Sequence, residues 1–240
     1  MKTELLEKLG LNVTKTAQTR LDDFLMVFKS YNSHTNLVSR HDMEFFFEKH
    51  IYDSLAMNLF LKKYGLEKFK MLDIGTGGGF PAVPVAIFYD SCPILAIDSV
   101  SKKIGFVEIA QKLLQLENLT PASKRAEDLH ESDKESFDIV TSRAVAQLNT
   151  LLEYGVPYLR VGGYFVAYKA QTAEQEIENA KRALEVLNAK VVDIIEYSLP
   201  NLEEHTRKLI IMESSAVMGE AIRLNTNESR NALRPLYLNM

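Results

Sequence analysis

Residues 71–79 constrain this chain more than any other stretch. Met71, Leu72 and Ile74 are apolar strand formers with Asp73 among them, and Gly75, Gly77, Gly78 and Gly79 follow at once. Phe80, Pro81 and Ala82 then open an apolar run, VPVAIFY. The pattern predicts a strand, a tight turn and a helix. Glycine reaches backbone angles closed to other residues, and without Cβ atoms the turn lets a ligand lie against the main chain. Pro81 and Pro84 suit a first helical turn, where an amide hydrogen has no intrahelical partner. The plain alternative is a structural strand-to-helix turn that holds no ligand.

Two ligand classes use such a turn. A dinucleotide site wants G-x-G-x-x-G, with the pyrophosphate against helix amides. Counted from Gly75, the third glycine falls at position 80, which is Phe. The run is instead D-x-G-x-G-x-G from Asp73 to Gly79, and it resembles the first motif of S-adenosylmethionine (SAM)-dependent methyltransferases. SAM carries no phosphate, so its turn must pass close to an amino acid and a ribose. The next apolar run, ILAID, ends in Asp98. An acid there can accept from both ribose hydroxyls; the alternative is an acid placed before a helix that begins near Ser101.

Downstream, strand and helix patterns alternate. Strands are expected at 69–74, 93–98, 119–123, 137–141 and 163–168, with helices at 80–89, 101–116, 147–154 and 173–189. Two final runs, VVDIIEYSL and HTRKLIIMES, have no helix between them and predict a hairpin. Such alternation implies a parallel sheet covered on both faces, and the closing hairpin suits an antiparallel last strand. The expected fold is α/β, Rossmann-like, with a mostly parallel seven-stranded sheet and an N-terminal helical extension. Residues 1–68 form that extension, 69–213 the core and 214–240 a polar tail. In the extension, Leu21, Phe24, Leu25, Phe28 and Tyr31 recur at helical spacing. Asp42 is placed to cap a second helix carrying Phe46, Phe47, Ile51, Leu55 and Leu59. His50, Asp53 and Ser54 share one face of it. From the residues alone that face is either a pocket wall or an ordinary polar edge.

The 240 residues carry a net charge of −4, with the acidic excess in 69–213. That argues against steering of nucleic acid by the whole-molecule field, so RNA binding would need a local basic rim. No apolar run approaches a membrane span, and a soluble, cytoplasmic protein is expected. The single Cys, Cys92, excludes an internal disulfide and a Cys-rich metal site; no metal is expected.

Ligands in open α/β sheets sit at the carboxyl ends of the strands. Cys92 lies at the opposite edge, which removes the nucleophile that C5 methylation of a pyrimidine needs. Exocyclic amines are usually methylated beside an N/D-P-P-Y/F tetrapeptide after the fourth strand, and that position reads TSRAVA. A ring nitrogen with a free lone pair, such as guanine N7, needs neither device. Aligning it with the SAM methyl is then catalysis by orientation.

The stretches YNSHTNLVSR (31–40), HIYDSL (50–55), LDIGTGGGFPAVPVAI (72–87), SKRAEDL (123–129), FDIVTSRAVA (137–146) and VGGYFVAYKAQ (161–171) together resemble the ribosomal RNA small-subunit methyltransferase G family, also called glucose-inhibited division protein B. The resemblance spans roughly residues 20–212. It implies SAM-dependent methylation of guanine N7 in the 530 loop of 16S rRNA, with rRNA or the small ribosomal subunit as partner and a monomeric enzyme. It places Asp73, Gly75, Gly77, Gly79 and Phe80 at the SAM turn, Asp98 on the ribose, and Ala126 and Glu127 beside the adenine. Arg143 lies between cofactor and RNA, and His50, Asp53 and Ser54 form a wall of the methionine or guanine pocket. Lys169 is either a phosphate contact or a strand-end lysine with a buried stem. The chain departs from the family at Ala82 and Ala170, where Gly is common, and in a weakly basic tail. Two other readings share these residues: a small-molecule or protein methyltransferase on the same fold, and a noncatalytic ribosome-assembly factor with a SAM-like cleft.

Overall fold

The computed structural model describes residues 2–35, 37–170 and 173–215. Seven strands form one sheet in the order β3-β2-β1-β4-β5-β7-β6. They are β1 (Met71–Ile74), β2 (Ile94–Asp98), β3 (Leu119–Ser123), β4 (Phe137–Arg143), β5 (Leu159–Lys169), β6 (Ala189–Leu199) and β7 (Leu202–Ser214). β1 to β5 pair in parallel, and β7 runs antiparallel between β5 and β6. The expected sheet, with its antiparallel last strand, is therefore the observed one.

Strand residues alternate between the two faces, as the two-residue period requires. Met71, Ile94, Ile139, Val166 and Ile211 face one core; Leu72, Ile97, Val140, Phe165 and Ile210 face the other. The second core is covered by α8 (Leu148–Gly155) and α9 (Ala173–Val186). The first is covered by α6 (Ala82–Phe88), α7 (Ser101–Leu113) and the N-terminal helices. Those are α1 (Thr3–Lys8), α2 (Lys15–Thr35), α3 (Arg40–Glu44), α4 (Asp53–Leu55) and α5 (Met57–Lys63).

The helices before β1 share their core with the sheet. Phe24 and Phe28 of α2 are fully buried, and their rings lie 5.6 and 5.4 Å from that of Phe80 at the end of the glycine turn. Phe46 and Phe106 complete the cluster. Each buried ring is worth about 1.5–3 kcal/mol of removed apolar surface, so the helical layer helps to hold the end of the glycine turn.

Two local expectations are corrected. Residues 42–59 do not form one helix. Ser39 caps α3, accepting from the Asp42 amide at 3.1 Å, and a π-helical turn, Phe47–Tyr52, separates α3 from α4. The apolar spacing fits a continuous helix, because one inserted residue shifts the face without erasing the periodicity. The insertion is visible only in the hydrogen bonds: the amides that cap the π turn reach the carbonyls of Glu48 and His50. The short α1, docked through the fully buried Leu6, had no sequence signal of its own. The tail beyond residue 215 lies outside the described residues.

Candidate active site

The glycine turn bends back on β2. The amides of Gly75 and Thr76 both donate to the Ile97 carbonyl, at 2.8 and 2.9 Å. Gly75 has φ +75° and Gly77 φ +56°, backbone that disfavours a side chain. A Cβ on Gly75 would collide with Val145 Cγ2. Gly77 turns its amide to Asp98 Oδ2 at 3.0 Å, and Asp98 Oδ1 accepts from the Val100 amide at 2.9 Å. Asp98, almost fully buried, is thus held at the end of β2 with lone pairs to spare, since a carboxylate can accept about four hydrogen bonds.

Asp98 and Gly75 open onto a cavity of about 320 Å³, near the lower end for small-molecule sites. Ala126 and Glu127 line it, as do Val100, Lys103, Lys124, Arg125, Ala144, Val145 and Tyr154. Of the residues expected at the cofactor, Gly75, Asp98, Ala126 and Glu127 meet in this cavity. The carbonyl of Ala126 is fixed by the Tyr158 hydroxyl. Lys103, Lys124, Val145 and Tyr154 were not anticipated. Lys103 and Lys124 were ordinary surface lysines by pattern, and Tyr154 sits among the apolar residues of α8 as any core tyrosine would.

Asp73, Gly77, Gly79 and Phe80 do not line this cavity. Phe80 is nearly buried in the aromatic cluster, and Asp73 is fully buried on the Met71 face of the sheet. The Thr76 hydroxyl and the Ala82 amide lie near the Asp73 carboxyl, but neither completes a hydrogen bond of normal geometry to it. Burial pushes the Asp73 carboxyl up to about 7, against the weaker pull of Thr76, Arg143 and the Ala82 amide.

A second cluster stands at the end of β4. Arg143 Nη1 donates to the carbonyl of Lys49 at 2.8 Å and to Asp53 Oδ2 at 2.9 Å. Its Nη2 meets His50 Nδ1 at 3.1 Å, and its guanidinium lies 5.2 Å from the Phe80 ring centre. The His50 ring packs on the same Phe80 at 4.9 Å. Asp53 Oδ1 accepts from the Tyr197 hydroxyl of β6 at 2.7 Å, with Arg207 at 3.8 Å. The π turn therefore delivers His50, Asp53 and the Lys49 carbonyl to one guanidinium. Burial first, and then Arg143, lower the imidazole pKa to about 3, and His50 Nε2 has no partner.

Two expected site residues sit elsewhere. The Ser54 hydroxyl is fully buried and donates to the His50 carbonyl at 2.5 Å, so it supports the turn and does not face the cavity. Lys169 is nearly buried, and its ammonium pairs with Glu176 at 2.5 Å.

The family model described as rRNA small subunit methyltransferase G (GidB) matches residues 17–209. The chain belongs to this family. Relatives named ribosomal RNA small subunit methyltransferase G from Streptococcus equi subsp. equi and Streptococcus pyogenes serotype M12 are 38% and 37% identical. Each match covers 82% of this chain, and 84% and 83% of the relatives. Among solved structures, a SAM-dependent methyltransferase from Aquifex aeolicus aligns with TM-score 0.55 at 14% identity, over 73% of this chain and 99% of its own. M. jannaschii TYW2 in complex with AdoMet aligns with TM-score 0.52 at 20% identity, over 62% and 70%. These likenesses establish the Rossmann-like fold of SAM-dependent methyltransferases, and the family supplies the activity class, methylation of small-subunit rRNA. Among the described residues no helix is long and apolar enough to cross a membrane.

Proposed function

We propose that this family member transfers a methyl group from SAM to N7 of a guanine in 16S rRNA. The fit of the cofactor rests on the residues at the turn. Gly75 has no room for a Cβ, Asp98 is an oriented acceptor with free lone pairs, and Asp73 is a buried carboxylate without a partner. Asp98 would hold the ribose, Ala126 and Glu127 would flank the adenine, and Asp73 would answer the amino group. When bound, SAM supplies an electrophilic methyl: the N7 lone pair forms the new N–C bond, and the C–S pair returns to sulfur.

The observation that carries the choice of atom is the end of β4. Thr141 and Ser142 donate to the carbonyls of Val166 and Ile74, and the Arg143 guanidinium offers only hydrogen-bond donors. Among the described side chains that meet Arg143, His50 is held neutral with its Nδ1 already accepting from Arg143, and Asp53 is engaged by Arg143 and Tyr197, so neither is placed to take a proton from an amine. Cys92 is buried with Sγ beside the Glu67 carbonyl at the far edge. A bare ring acceptor is the target that asks only for alignment and exclusion of water. Arg143, held from three sides over Phe80, would position the guanine or its phosphate while leaving N7 free.

The test is methyl transfer from labelled SAM to unmethylated 16S rRNA and to small subunits, followed by borohydride and aniline cleavage, which cuts at N7-methylguanine. Label at one cleavable guanine is expected. Label that resists cleavage would overturn the choice of atom, and transfer to protein or small molecules alone would overturn the substrate.

A further inference from the structure

The strand-end position of Lys169 suits either a phosphate contact or a lysine with a buried stem, and its side chain is 9% exposed. Its ammonium donates to the Ala146 carbonyl at 2.8 Å and to Glu176 Oε2 at 2.5 Å. The same Glu176 oxygen accepts from the amide of Leu148, the first residue of α8, at 2.9 Å. One ion pair therefore grips the segment that joins β4 to α8 at two points.

That segment has a shape that needs holding. Ala144 has φ +55°, a left-handed backbone rare for a residue with a Cβ. Val145 follows, 43% exposed on its outer side and packed against Gly75 on its inner side. Both line the cavity. The anchors at Ala146 and Leu148 follow Val145 by one and three residues.

We propose that Lys169 and Glu176 are positioning residues for the cofactor end of the cleft, acting through residues 144–148, and that Lys169 is not a phosphate ligand. The proposal rests on SAM being the cofactor of this cleft. It separates two roles by the ligand each would touch. A phosphate contact acts on RNA affinity and its salt dependence. An anchor of the strap acts on SAM with no RNA present.

Calorimetric SAM binding to the RNA-free protein tests this in Lys169→Met, Glu176→Gln, the double variant and Lys169→Arg. Each of the first two is expected to weaken SAM by roughly 3- to 30-fold, the range for residues that act through packed neighbours. The double variant is expected to lose less than the product of the two, since both act on one unit, and Lys169→Arg is expected to recover part of the loss. In Glu176→Gln, the milder change, the Leu148 amide is expected to exchange hydrogen faster at unchanged circular dichroism. KM for RNA at saturating SAM, and its salt slope, stay as in the parent. Unchanged SAM affinity in both single variants overturns the proposal. So does a raised KM for RNA with a salt slope lowered by about one unit. A parent protein that binds SAM but methylates no RNA would refute the proposed substrate alone.

Discussion

Arg143 Nη2 and His50 Nδ1 meet at 3.1 Å, and this contact fixes the state of the imidazole. A guanidinium only donates, so Nδ1 must accept, and the proton sits on Nε2. Burial and the neighbouring cation both oppose a second proton, which is why the pKa falls to about 3. The folded value lies below the unfolded 6.5, so the stability from neutral His50 is fully present above pH 6.5 and is lost as pH falls toward 3. Nitrogen-15 correlation spectra of the imidazoles are expected to show the Nε2–H tautomer for His50 with no titration between about pH 5 and 8. A midpoint near the ordinary histidine value would mean that the contact with Arg143 is absent in solution.

Asp73 has the opposite sign. Its folded pKa of about 7 lies above the unfolded 3.8. Its contribution to stability is therefore fully present below pH 3.8 and is lost as pH rises through about 7. Asp73→Asn keeps the shape and removes the ionisation. Above pH 7 the variant is expected to be more stable than the parent by on the order of 2–4 kcal/mol, with little difference near pH 4. It is also expected to bind SAM more weakly, because an amide cannot answer an ammonium as a carboxylate does. Urea unfolding at both pH values checks the first, and calorimetry the second. A variant less stable at pH 8 than at pH 4, relative to the parent, would rule out a buried, unpaired carboxylate.

How much of this could be read from the chain depended on whether the relevant contact is local. The glycine turn, Asp98, the parallel sheet and its closing hairpin follow from short patterns, because a turn, a strand end and a parallel crossover are each set within about 30 residues. Ser54 was expected to share a helix face with His50 and Asp53, but its hydroxyl bonds to the His50 carbonyl, a choice that residue type does not announce. Lys169 was ambiguous because its partner Glu176 lies on α9, and nothing in a strand-end lysine says which way the ammonium turns. Tyr197 was invisible, since its partner Asp53 is 144 residues away and the two meet only when β6 is added beyond β7.

Two glycines give a matched pair. Gly75 has φ +75° and Val145 against it, whereas Gly105 lies within α7 with no atom within 4 Å of a Cβ built on it. Gly105→Ala is expected to raise stability by about 0.5–1 kcal/mol through helix propensity alone. Gly75→Ala must strain the backbone and displace Val145, so SAM affinity is expected to fall by at least tenfold, about 1.4 kcal/mol. Thermal melts and SAM calorimetry on both variants check the contrast. Equal SAM affinity in the two would show that the turn is not where the cofactor lies.

The remaining prediction concerns the hydroxyl behind Arg143. Tyr197 is nearly buried and donates to Asp53 Oδ1 at 2.7 Å, and burial together with the adjacent carboxylate holds its pKa well above the ordinary phenol value. It therefore remains a donor at every working pH. Tyr197→Phe keeps the ring and removes only that bond, leaving Asp53 to Arg143 and the more distant Arg207. The loss of one hydrogen bond to a charged group is expected to cost about 1.5–3 kcal/mol of stability. Asp53 would then be free to tilt, and Arg143 would follow it away from the end of β4. Because Asp98, Gly75 and Ala126 are untouched, SAM affinity is expected to hold while kcat for rRNA falls. Stopped assays at saturating SAM would read the split. A fall in SAM affinity with kcat unchanged would place Arg143 on the cofactor and not between cofactor and RNA.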